Sequence, residues 1–224
     1  MFAGFSEKTV AFLWGISLNN ERPWFQLHKE EYQKFVYEPL KELAADVQER
    51  MAGCYPDLQM NVKVSRIYRD ARRLYGRGPY KTHMWFVLRE PIEQETTAPV
   101  FYFEIYPEGY EYGMGYYAMK PVMLEHYRRK ILREPERMEK LARRLNRQKA
   151  FQLEGEEYKR PKGQVSDLLK GWFNRKNVSI CALHPFDDRY QTPQLVDDIM
   201  EGFRFLMPYY TFFRELALEP LLED

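Results

Sequence analysis

Residues 100–117 read VFYFEIYPEGYEYGMGYY. Two runs of alternating large side chains flank Pro107-Glu108-Gly109, a turn sequence. In the first run Phe101, Phe103 and Ile105 take one face, and Tyr102, Glu104 and Tyr106 take the other. In the second, Tyr110, Tyr112, Met114 and Tyr116 share a face opposite Glu111, Gly113 and Gly115. The pattern predicts a hairpin, and a connection this short joins antiparallel strands. Two glycines on one face leave room for a close neighbour, either a packed helix or a ligand. Tyrosine faces beside basic groups also suit base stacking, although tyrosines packed under helices meet the same pattern.

Upstream, Asn61–Asp70 alternates and is rich in β-branched residues, and Met84–Arg89 is a second strand-like run. Phe151–Tyr158 and Asn177–Leu183 read as later strands. Helical spacing covers the ends. Ser6 caps a first helix with Val10, Leu13, Trp14 and Leu18 as its apolar set, and Asn19-Asn20 ends it. A second helix begins at Pro23 and carries Val36, Leu40, Leu43, Val47 and Met51 on one face, with Pro39 able to bend it and Gly53 to stop it. Helical spacing returns over 121–148, broken near Pro135. A last helix starts at Thr192-Pro193, and Pro208 is expected to kink or end it. Helices, then neighbouring strands, then helices predict an α+β fold with a mostly antiparallel sheet, in one domain over residues 1–224.

Composition narrows the function classes. Of 224 residues, 45% are apolar and 30% charged, which suits a globular chain with a sizeable core and not a disordered one. No apolar run approaches the ~18 residues of a membrane span. Glu7 and Lys8 interrupt the apolar N-terminal stretch, so it does not read as a signal peptide. Cys54 and Cys181 stand far apart, and the histidines are scattered without metal-ligand spacing. The expectation is a cytoplasmic protein with no metal, no cofactor motif and no membrane partner; the oligomeric state stays open.

The net charge of +1 conceals an asymmetry. Residues 1–62 carry six basic and nine acidic groups, and residues 187–224 carry three and nine, so the middle holds the basic excess. Within it, 63–89 has eight Lys/Arg against Asp70 alone, and 126–149 has ten against Glu134, Glu136 and Glu139. Such a middle expects either an anionic partner or pairing with the acidic ends.

Four motifs occur in order: Asn19-Asn20-x-Arg22-x-Trp24-Phe25 with His28-Lys29 and Tyr32; Arg66-x-x-Arg69-Asp70; Pro79-Tyr80-Lys81-Thr82; and Lys159-Arg160-Pro161-Lys162-Gly163. In this order and spacing the chain resembles the family of conserved hypothetical proteins called domain of unknown function 2461. The resemblance spans most of the chain and implies a single α+β domain. It implies no particular activity, so function rests on the residues.

Arg66, Arg69, Arg73, Tyr80, Lys81 and Thr82, with Lys162 from the basic turn, form the predicted ligand site. Arginine supplies a planar fork for phosphate or carboxylate, lysine a point charge, and threonine a hydroxyl. Gly76 and Gly78 permit close backbone approach. The bland alternative is cross-strand pairing of Arg66 or Arg69 with Glu104 or Asp70. Three function classes follow. The first is a domain binding a phosphate-bearing or nucleic-acid ligand at this cluster. The second is an enzyme on a small anionic substrate with Glu104 or Asp70 as acid/base. The third is an interaction module using the basic helix 126–149.

Overall fold

The computed structural model describes residues 1–91, 98–117 and 119–220, apart from the Arg73 side chain. Helix α1, Glu7–Leu18, starts where the Ser6 amide donates to Thr9 Oγ1 at 3.1 Å, and Thr9 in turn donates to the Phe35 carbonyl at 2.6 Å. Its buried face is Thr9, Phe12, Leu13 and Ile16. That is turned from the expected one: Trp14 and Leu18 point outward, because α1 packs on the segment around Lys29–Tyr37 through the side carrying Phe12 and Ile16.

The second predicted helix is broken into pieces: α2 (Arg22–Leu27), α3 (Lys29–Tyr32), a wide i→i+5 turn over Gln33–Tyr37, and α4 (Glu38–Cys54). Pro39 lies in the first turn of α4, directly after this wide turn, whose last bond runs from the Glu38 amide to the Gln33 carbonyl. Leu40, Leu43, Val47 and Met51 are buried as their spacing requires.

The strands are β1 (Asn61–Val64), β2 (Met84–Arg89), β3 (Val100–Tyr106), β4 (Gly109–Tyr116), β5 (Gln152–Glu154) and β6 (Val178–Pro185). They form one antiparallel sheet in the order β1-β2-β3-β4-β6-β5, and Leu153 stands opposite Ile180. The fold is α+β, with helices α5 (Pro121–Arg133), α6 (Pro135–Asn146), α7 (Asp167–Phe173) and α8 (Gln194–Leu218) completing it. Helix α7 has no counterpart in the sequence reading; Leu169, Trp172 and Phe173 bury its short apolar side. No helix among the described residues is long and apolar enough to cross a membrane.

The chain forms two compact units. The first comprises residues 1–88, 102–112 and 183–202. Its core stacks Phe103 on Phe86 at 5.7 Å and on Phe5 at 6.0 Å. The second comprises residues 89–101, 113–182 and 203–224. There Phe101 lies 4.6 Å from both Phe203 and Tyr210, and the nearly buried Glu90 accepts from the Tyr210 hydroxyl at 3.0 Å and from Arg214 at 2.9 Å. Pro208 does not end α8, which runs to Leu218. Leu206, Tyr209, Phe212 and Phe213 around it are all fully buried, and their packing offsets the ~3 kcal/mol a helix-interior proline costs.

Candidate functional site

Strand β1 ends at Val64, although the alternating pattern runs on to Asp70. The chain keeps its sheet partner for one more residue: the Ser65 amide donates to the Trp85 carbonyl at 2.8 Å and its hydroxyl accepts from the Trp85 amide at 3.0 Å. It then turns into a small ladder of its own. The Arg69 amide donates to the Pro79 carbonyl and the Lys81 amide to the Ile67 carbonyl, with Tyr68 directly opposite Tyr80. Residues 70–78 form the loop that this ladder closes.

The first motif holds the second. Asn20 donates through Nδ2 to the Tyr80 carbonyl and accepts at Oδ1 from the Tyr80 amide, both at 2.9 Å. Gly78 makes this approach possible, because a Cβ there would collide with the Asn20 amide and backbone oxygen. Beneath the ladder Tyr80 is 1% exposed and stacks on Phe25 at 4.3 Å. Tyr80 therefore supports the hairpin rather than presenting the ligand contact expected of it. From the first motif, Asn20 and Phe25 supply this clamp.

On this frame sit the basic groups. Arg66 is exposed and Arg69 and Lys81 are half-buried. Arg69 Nε donates to the Tyr80 carbonyl at 2.7 Å, and Lys81 Nζ donates to the Arg66 carbonyl while lying 5.6 Å over the Trp85 ring. Burial lowers the Lys81 pKa, and the charges of Arg66, Arg69 and Lys63 lower it further. Burial and then Arg77 lower that of Arg69. Lys63, Arg66, Arg69, Arg77 and Lys81 thus feel one another, and none forms an ion pair with a carboxylate among the described residues. Thr82 follows, half-buried. The Arg73 side chain lies outside the described residues.

The acids are placed differently from the expectation. Asp70 caps the short turn Ala71–Arg73: it accepts from the Arg72 amide at 3.0 Å and pairs with the Arg72 guanidinium at 2.8 Å. Glu104 pairs with His83 and, among the described residues, with no arginine of 66–73. The two residues stand on neighbouring strands, His83 immediately before β2, so the expected alternation of β3 held the only hint of this partnership. Around the glycines of β4, the β6 backbone at Ile180 and Cys181 abuts Gly113, and the Tyr117 ring lies over Gly115. The room read from the sequence is filled by the protein's own chain.

Lys162 lies in the second unit, where its Nζ sits 4.3 Å over the Tyr158 ring and its amide donates to Asn174 Oδ1. In the same unit the basic helices pair inward. Lys130, 2% exposed, meets Glu134, Glu215 and Glu219; Arg133 meets Glu219 at 2.8 Å; Arg137 meets Glu215 at 2.5 Å. Burial alone would raise the Glu219 carboxyl, but the hydrogen bonds and charges of Arg133 and Lys130 outweigh it and hold it at about 2. Internal pairing, one of the two expectations for this stretch, accounts for these cations.

No group of three or more His, Cys, Asp or Glu side chains among the described residues is arranged to hold a metal ion. None of the curated proteins matches the chain. Residues 8–212 match the family described as conserved hypothetical protein, DUF2461, over most of the chain and all of the hairpin frame. The ordered motifs, the clamp they build and this match agree, and the protein belongs to the DUF2461 family of conserved hypothetical proteins.

Proposed function

We propose that this protein binds a phosphate-bearing ligand at the hairpin of residues 65–82, with Arg66, Arg69 and Lys81 as its principal contacts and Lys63 and Arg77 adding field. One contrast carries the reading. Lys130, Arg133 and Arg137 of α5 and α6 are met by carboxylates, whereas Arg66, Arg69, Arg77 and Lys81 of the hairpin have none within ion-pair distance among the described residues, where Asp70 is taken up by Arg72. Like charges brought together cost stability, and an anion removes that cost. A cytoplasmic setting belongs to the proposal, since widely separated cysteines suit a reducing compartment.

The test is thermal unfolding at low salt with tripolyphosphate. At a hundredfold excess over Kd the ligand adds about 2.7 kcal/mol, which raises Tm by roughly 5–10 °C in a protein of this size. The double variant Arg66→Gln/Arg77→Gln should fold with unchanged or slightly higher Tm and lose that rise. An unmoved wild-type Tm with phosphate, tripolyphosphate and oligonucleotides alike sinks the proposal.

The His83–Glu104 pair favours a second reading, an enzyme on a small anionic substrate. A carboxylate that orients an imidazole is a competent acid/base unit. Turnover of a phosphoester panel that survives in wild type and disappears in Glu104→Gln, with tripolyphosphate binding intact, would establish it.

A further inference from the structure

The hairpin exposes rings as well as charges. Tyr68 is 51% exposed, although its ring is propped from one side by Phe25 at 5.8 Å and by Tyr80 at 5.4 Å. Tyr75, at the loop tip, is 82% exposed. It occupies the left-handed region at φ +47°, followed by Gly76 at φ +77°, and the Arg77 amide closes the turn onto the Leu74 carbonyl at 2.8 Å. A tyrosine there carries backbone strain that glycine would avoid. Each exposed ring has an exposed arginine two residues away: Arg66 beside Tyr68, and Arg77 beside Tyr75. Ser65 and Ile67 point inward, which places Arg66 and Tyr68 on the same outward side.

We infer that the ligand of this hairpin is single-stranded nucleic acid, its bases stacking on Tyr68 and Tyr75 while its phosphates meet Arg66, Arg69, Arg77 and Lys81. The inference rests on the anion-binding reading and adds the stacking component. Alternating ring and cation match the alternation of base and phosphate along a strand. The rings stand on an open surface, whereas a lone nucleotide needs a concave site that covers most of it. A duplex keeps its base faces stacked on one another and has none to offer a tyrosine.

Fluorescence anisotropy in about 50 mM salt tests this with an oligothymidylate of about a dozen nucleotides, an abasic oligomer of equal charge, a duplex and polyglutamate. The oligothymidylate is expected to bind about tenfold or more tighter than the abasic oligomer. Tyr75→Ala should erase much of that ratio without touching abasic binding. Tyr68→Ala should do the same and Tyr68→Phe should restore it; if Tyr68→Ala fails to fold, Tyr75→Ala decides. Arg66→Gln should weaken both oligomers equally. Equal binding of the two oligomers, or equal or tighter binding of duplex or polyglutamate, overturns the single-strand inference and leaves the anion reading standing. No binding by any of the four overturns both.

Discussion

Asn20 and Gly78 make the hairpin frame depend on two small residues. The Asn20 carboxamide satisfies both backbone groups of Tyr80, and only a residue without Cβ lets it come so close. Gly78→Ala should break that clamp and cost about 1–3 kcal/mol, the penalty of leaving paired polar groups unsatisfied. Asn20→Ala should cost a similar amount, and the double variant should cost little more than either alone, because one interaction is lost in all three. Urea unfolding of the three proteins checks this; additive losses would show that the clamp is not the shared cause. Tyr75→Gly should move stability the other way, by about 1 kcal/mol upward, as the left-handed backbone is relieved. Asn20 was legible in the sequence as part of an ordered motif, but its partner 60 residues away was not.

Elements α5, α6 and α8 show what balanced charge does. Lys130 is nearly sealed from solvent, with its ammonium 5.4 Å over the Phe212 ring and three carboxylates around it. Lys130→Met leaves those carboxylates facing one another with Arg133, Arg137 and the His126 ring, 3.0 Å from Glu219, to compensate. A loss of about 3 kcal/mol is expected in chemical denaturation, the usual cost of breaking a buried pair on one side. A loss below about 1 kcal/mol would mean that Lys130 contributes only its methylenes. The helices themselves were readable from their periodicity. Their pairing with the acidic C-terminal helix was readable only as one alternative to an outside partner, since charge counts carry no distances.

Acid should act on the whole molecule through groups held below their ordinary pKa. Glu219 sits at about 2 against an ordinary 4.5, and Arg137 above all holds Glu215 lower too. A depressed carboxyl contributes stability that is complete above 4.5 and fades as pH falls through its folded value. His184 adds a term nearer neutrality. Burial lowers its pKa against the opposing pull of Asp187 and Asp198, and its ring lies between Tyr110 at 5.0 Å and Tyr112 at 5.2 Å. Its contribution is therefore full above 6.5 and declines as pH falls below that. Urea midpoints should drop in two stages on acidification. His184→Gln should flatten the first and Glu219→Gln the second; an unchanged profile in both variants would remove these groups as the cause.

Residues 100–117 determined the antiparallel hairpin by themselves, because alternation and a short turn act over neighbouring residues and need no distant partner. Periodicity determined the amphipathic helices for the same reason, and the ordered motifs determined the family. Where β1 ends, where α1 turns its buried face and why α8 runs through Pro208 depend on packing against residues far along the chain, which no local pattern encodes. The hairpin cations are the sharpest case. Their number is plain in the sequence, but whether carboxylates reach them is a matter of ångströms, and only the folded chain decides that Lys130, Arg133 and Arg137 are met from within while Arg66, Arg69, Arg77 and Lys81 stay unpaired among the described residues.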